Sequence, residues 1–368
     1  MIYAHKKYIL AVGVLGLLGI VFLGYSVGWQ QLFSRNFVRY LIERPFVVVF
    51  QESRLAEFYV RHSTFVTPAS FRQLSLLDQQ LVFERIASTR GAFRAKTFLL
   101  KVYPHQPSYL HEMGHSIGEA MFREYGDEAL GKCDAAFSYS CYHGAIVQFM
   151  LVRGLDKKVI QDFAYRGCTT KTASLDRHGC YHGFGHALMI VDTGDMMRSL
   201  QDCDALVEDP VFMFDCYQGV AMEHAQANFL DPSVILYQKQ GDPGYPCGLL
   251  DKKYQPACYS EHVVVADKMF SHDWPRVVAY CASLSLLTEK EKQPCFFRLG
   301  VVADAILGGR ADEVMAVCHL AGDSGVFCVR SFVQQRLSAG DIDAVRVACV
   351  FLPKDEQEAC FADLSVEH

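Results

Sequence analysis

Fourteen cysteines fall along this chain in alternating short and long gaps, and few folds can accommodate that alternation. Taken in order they form seven neighbouring pairs: Cys133 and Cys141, Cys168 and Cys180, Cys203 and Cys216, Cys247 and Cys258, Cys281 and Cys295, Cys318 and Cys328, Cys349 and Cys360. Within a pair 7 to 13 residues intervene, and between pairs 20 to 30. The C-terminal two thirds therefore repeat every 31 to 44 residues, the period of helical solenoids.

Each long gap reads as a helical hairpin. In CFFRLGVVADAILGGRADEVMAVC, from Cys295 to Cys318, an apolar helix meets Gly308-Gly309 and a shorter amphipathic helix starts near Ala311-Asp312. The same break recurs at Asp192-Thr193-Gly194-Asp195 and at Ser338-Ala339-Gly340-Asp341. Glycine ends the first helix and aspartate caps the second. The short gap is then the loop to the next hairpin, with one cysteine at the end of one helix and the other at the start of the following one. A bridge closing such a loop of about a dozen residues stabilises by roughly 3 kcal/mol in the chain-entropy model.

Zinc is the rival use for paired cysteines, but zinc knuckles run from C-x2-C to C-x4-C and none of these pairs is that close. Disulfides persist in oxidising compartments, so the repeat domain is expected in the periplasm, at the cell exterior or in a secretory lumen. The fold class expected is all-α: an N-terminal transmembrane helix followed by a disulfide-stapled α/α helical-repeat solenoid. In period it resembles the tetratricopeptide or Sel1 class of paired-helix repeats, without their signature residues.

The expected membrane segment is residues 8–28, an uncharged apolar run long enough for about 31 Å of helix. It lacks a small-residue cleavage site, which favours an uncleaved signal anchor over a removed signal peptide. Lys6 and Lys7 precede it while Arg35, Arg39 and Arg44 come after, so flanking charge does not orient it. The cysteines do, by placing the chain beyond residue 28 outside the cytosol. Four regions result: a cytoplasmic tail 1–7, the anchor 8–28, a membrane-proximal helical segment 29–108, and the repeat domain 109–368. Within the third, Thr67-Pro68 opens a helical pattern, FRQLSLLDQQLVFERIAS, expected to pack on the first repeat, and PFVVVF at 45–50 is β-rich. A formal charge of −6 without a long basic run excludes an electrostatic footprint for nucleic acid.

The histidines keep step with the repeat. Counting from the second cysteine of each pair, His143 falls at plus two, and His182 and His186 at plus two and plus six. LHEMGHSIG puts His111 and His115 on the same frame. Residues four apart share a helix face, so His111 with His115 and His182 with His186 are ready-made bidentate pairs. Gly114, Gly118, Gly144, Gly183 and Gly185 remove bulk beside them and let neighbouring helices approach. In the fourth hairpin the plus-two residue is Gln218, with Glu223 and His224 further on; in the fifth, Glu261 and His262 appear. No such histidines occur on the helices after Cys281. A structural histidine would recur in every hairpin, so the restricted set points to a transition-metal site at His111, His115, His143, His182, His186, Glu223 and His224. Imidazole suits zinc, copper, iron or nickel and does not choose among them. Tyr142, Tyr181, Tyr217, Tyr259 and Phe296, each next after a cysteine, are expected to pack against the repeat.

His111-Glu112-Met113-Gly114-His115, with Ser116-Ile117-Gly118, resembles the H-E-x-x-H-x-x-G motif of metzincin proteases. The resemblance implies His111 and His115 as zinc ligands and Glu112 as the general base for a metal-bound water. The family's third histidine would fall at Met121, so Glu119, His143, His182 or His186 would have to supply the third ligand. Two readings stay open: a metal-dependent enzyme, hydrolytic through Glu112 or oxidative through a two-metal centre, and a solenoid scaffold binding a protein or peptide.

Overall fold

The computed structural model describes residues 59–63, 66–104, 110–230 and 241–363. The expected anchor 8–28, the tail before it and the PFVVVF stretch lie outside the described residues. Among those described there is no β-strand, and no helix is long and apolar enough to cross a membrane.

The first helices are α1 (Pro68–Arg72), α2 (Leu76–Arg90) and α3 (Ala92–Val102). Thr67 caps α1 in a capping box with Ser70, and Pro68 takes the first turn. The pattern expected as one helix is two. The Ser75 hydroxyl accepts the Asp78 backbone N–H and starts α2 afresh, a local cap that apolar spacing cannot reveal. Phe71 meets Phe83 and Phe98 edge-on, with ring centres 6.4 and 5.3 Å apart, and α2 and α3 lie against the first repeat helix.

The repeats then run through α4 (His111–Tyr125), α5 (Ala129–Lys132), α6 (Ser140–Arg153), α7 (Lys157–Thr169), α8 (Ser174–Val191), α9 (Met196–Leu206) and α10 (Pro210–Leu230). They continue as α11 (Gln255–Glu261), α12 (Val263–Met269), α13 (Trp274–Ala282), α14 (Glu289–Ile306), α15 (Ala311–His319), α16 (Gly325–Ser338), α17 (Ile342–Cys349) and α18 (Lys354–Asp363). Helices α4, α6, α8, α10, α11, α14 and α16 pack each on the next and form one layer. The shorter α5, α7, α9, α13, α15 and α17 return the chain along the other. The expected breaks stand where glycine and aspartate put them. Gly194 and Gly340 take positive φ of 85° and 69°, and Asp195 and Asp341 cap α9 and α17.

All seven expected disulfides form, with Cα atoms 5.4 to 5.9 Å apart, and no cysteine is left free. The second cysteine stands near the helix start, as expected, at Cys141 of α6, Cys258 of α11 and Cys328 of α16, but not in the other long helices. In α8, α10 and α14 the helix begins six residues earlier, at Ser174, Pro210 and Glu289. For α14 the cause is a capping box between Thr288 and Glu291, which sets the N-terminus ahead of Cys295. Each such bridge therefore ties the end of a short helix to the second turn of the next long one.

Three pairs of long helices approach to backbone contact. A Cβ at Gly118 would lie 2.0 Å from the Cys141 carbonyl oxygen, one at Gly185 2.1 Å from that of Cys216, and one at Gly300 2.3 Å from that of Cys328. The contact is reciprocal in the first two pairs, where Gly144 faces the His115 carbonyl and Gly219 that of His182, at 1.9 and 2.0 Å. This close approach joins α4 to α6 and α8 to α10. It is what brings equivalent positions on neighbouring helices within reach of one another.

Candidate metal centre

The tight pairing α4–α6, the stacking of α6 on α8, and the tight pairing α8–α10 set four helices side by side at their plus-two and plus-six positions. His111 and His115 project from α4, His143 from α6, His182 and His186 from α8. Their ligand atoms form two trios, His111–His115–His143 and His143–His182–His186, and within each trio all lie within 4.8 Å of one another. His143 belongs to both. Its ring centre is 5.0 and 5.4 Å from those of His111 and His115, and 5.6 and 4.4 Å from those of His182 and His186.

The individual contacts are those of ligands facing a common point. His115 Nε2 and His143 Nδ1 are 3.3 Å apart, and His186 Nε2 and His182 Nε2 are 3.1 Å apart. Two imidazole nitrogens sharing a tetrahedral ion with bonds of about 2.0–2.1 Å lie roughly 3.3 Å from each other. His186 Nδ1–H donates to Glu223 Oε2 at 2.8 Å, leaving its Nε2 lone pair aimed at the cluster. Carboxylates hold metal-binding histidines in this way, fixing tautomer and ring orientation. His143 is buried, and its Nε2 meets no hydrogen-bond partner. An orphaned buried polar atom costs about 1–3 kcal/mol unless something else satisfies it.

Burial holds His143 and His182 well below the ordinary histidine range, with the charge of neighbouring imidazoles adding to the effect. Both rings are therefore neutral at pH 7, the form that donates to a metal.

Not every expected residue joins the cluster. Glu223 stands behind His186 rather than among the rings. His224 turns away from the cluster and stacks on His262, at the end of α11, with ring centres 5.6 Å apart. Glu119 is on α4 but pairs with Arg123 at 3.8 Å. The Glu112 side chain lies outside the described set. His262 with Cys247 and Cys258 makes a third close trio, but the two sulfurs are bonded to each other and offer no thiolate. Past His182 and His186, buried Glu261 pairs with half-buried Arg298 at 2.9 Å. Burial raises the Glu261 carboxyl, while Arg298 and His186 pull it back.

Met222 is a residue that the histidine pattern does not pick out. Its Sδ lies 3.2 Å from His182 Nε2. Met222 sits six residues after Cys216, the position that His186 holds after Cys180, so the repeat frame itself carries the signal.

The His224–His262 stack has a consequence for stability. Burial and the charge of His262 bring His224 down to about 3, and burial brings His262 down to about 4 against its hydrogen bond to the Pro243 carbonyl. In the unfolded chain both protonate near 6.5. Below that pH the unfolded state binds more protons. The stabilising contribution is thus complete above pH 6.5 and falls as the pH drops towards 4, by up to about 1.4 kcal/mol per pH unit for each ring. Thermal melts of the metal-free chain are expected to show a lower Tm at pH 4.5 than at pH 7, with a smaller difference in the His224→Gln/His262→Gln variant. An equal difference in both proteins would contradict this.

The chain matches no protein-family description, no curated protein and no solved structure.

Proposed function

We propose that this chain is a membrane-anchored, extracytoplasmic repeat protein that holds transition metal at its five-imidazole cluster and uses it for metal-dependent chemistry. One observation carries the reading: five imidazoles from three successive long helices face one another as two trios sharing His143, with the buried His143 Nε2 meeting no hydrogen-bond partner. His111 also meets a backbone carbonyl, with Nδ1 3.3 Å from Phe137 O, and His262 leaves its buried Nε2 without a partner while its Nδ1 bonds to Pro243 O at 2.9 Å, so the convergence of the five rings distinguishes the cluster rather than any one nitrogen. The seven disulfides support the oxidising compartment, whether periplasm, cell exterior or secretory lumen. The apolar run 8–28 supports the anchor.

Elemental analysis of the purified full-length chain tests the reading. Stoichiometric metal is expected, removed by chelator, and reduced by at least half in His111→Ala and in His182→Ala. A folded protein that carries no metal and takes none up from added zinc or copper would turn the account towards a solenoid scaffold for a protein or peptide.

A hydrolytic use of the same centre is favoured by the donor set His111, His115 and His143. Three protein ligands with a fourth position left for water is the pattern of catalytic zinc. On that reading Glu112→Gln abolishes turnover while leaving the metal content unchanged.

A further inference from the structure

We propose that the centre is binuclear: the His143 ring bridges two ions through its two nitrogens, and the ion on the α8 side is copper. This rests on the metal-binding reading above and deepens it.

The two trios have one residue in common, and a single ring serves two ions through opposite nitrogens. His143 Nδ1 lies 3.3 Å from His115 Nε2, which assigns it to the ion held with His111 and His115. His143 Nε2 is buried and meets no hydrogen-bond partner. The adjacent edge of the ring faces α8, where a Cβ built on Gly183 would fall 3.0 Å from His143 Cδ2. The His186 ring centre stands 4.4 Å from that of His143, the closest approach in the cluster. The atom without a partner thus belongs to the side where His182 and His186 already converge at 3.1 Å.

The two donor sets differ. The α4 side offers His111, His115 and His143 Nδ1. The α8 side offers His143 Nε2, His182 Nε2 and His186 Nε2, and beside them Met222 Sδ, 3.2 Å from His182 Nε2. Thioether sulfur is a soft donor suited to Cu(I), whereas the usual zinc ligands are thiolate sulfur, imidazole nitrogen and carboxylate oxygen. Glu223, bonded to His186 Nδ1, fixes the ring of that second set. With metal–nitrogen bonds of about 2.0 Å on each side of one imidazole, the ions stand roughly 6 Å apart.

The proton balance is simple. Neutral His143 carries one ring proton. Coordination through both nitrogens releases that proton to solvent and leaves an imidazolate between the two cations.

The test uses the full-length chain, stripped of metal and titrated with Cu(II), with metal content and low-temperature electron paramagnetic resonance as readouts. Two coppers per chain are expected, and on filling the second site the resonance intensity per copper falls by at least half, because the spins couple through the imidazolate. Met222→Leu is expected to weaken Cu(I) binding by at least tenfold while leaving one zinc per chain bound. Two coppers with the full intensity of independent spins overturn the bridge. So does saturation at one ion lost equally in His111→Ala and His186→Ala, although the metal-binding reading then survives. No uptake of either metal overturns both. Unchanged Cu(I) affinity in Met222→Leu overturns the copper assignment.

Discussion

Complete reduction of the disulfides in non-denaturing buffer is expected to unfold the repeat domain at room temperature. The seven bridges join cysteines 8 to 14 residues apart in sequence. In the chain-entropy model each then contributes about 2.5–3 kcal/mol, and because the loops do not overlap their contributions add to roughly 20 kcal/mol. A typical domain has only about 5–15 kcal/mol of net stability. Far-ultraviolet circular dichroism before and after reduction and alkylation reads the result. Loss of most of the helical signal is expected. A reduced, alkylated chain that keeps its helices and melts cooperatively would mean that interhelical packing alone suffices.

Gly185→Val is expected to damage both the fold and the centre. The new Cβ would stand 2.1 Å from the Cys216 carbonyl oxygen, which is backbone and cannot rotate away. Helices α8 and α10 must separate, at a cost at the upper end of the overpacking range, about 3 kcal/mol. At about 2.1 cal/mol/K of unfolding entropy per residue, a domain of this size then loses roughly 5 °C in Tm. The separation also carries His182 and His186 away from Met222 and Glu223, so metal affinity is expected to fall by at least tenfold. Gly131→Ala is the control: its Cβ would meet only Thr170 Oγ1, at 3.8 Å, an ordinary contact. Gly185→Val with native Tm and native metal content would show that the α8–α10 approach does not build the site.

The parts of this molecule that were legible in its sequence are those fixed by short-range covalent or backbone chemistry. Cysteine spacing gave the pairings because a bridge between neighbouring helix ends leaves little choice of partner. The turns at Gly194 and Gly340 were readable because a left-handed backbone position and an aspartate cap leave a residue signature. Histidine register was readable because each long helix meets its neighbour at the same height, set by glycines such as Gly118 and Gly185.

What escaped depends on how helices rotate about their axes. Nothing in the spacing says that His143 faces both α4 and α8, or that His224 turns towards His262 while Glu223, one residue earlier, reaches His186. Met222 was hidden because a methionine on a long helix ordinarily fills core. The start of α2 at Ser75 and the early start of α14 at Thr288 are capping events that apolar periodicity does not record.

The central claim is that metal sits among these five imidazoles, and anomalous X-ray diffraction from crystals of the copper-loaded full-length chain tests it most directly. At the copper absorption edge the account predicts anomalous density on both sides of the His143 ring, each peak about 2.0–2.2 Å from imidazole nitrogen. Anomalous density elsewhere on the chain, with none between α4, α6 and α8, would contradict it.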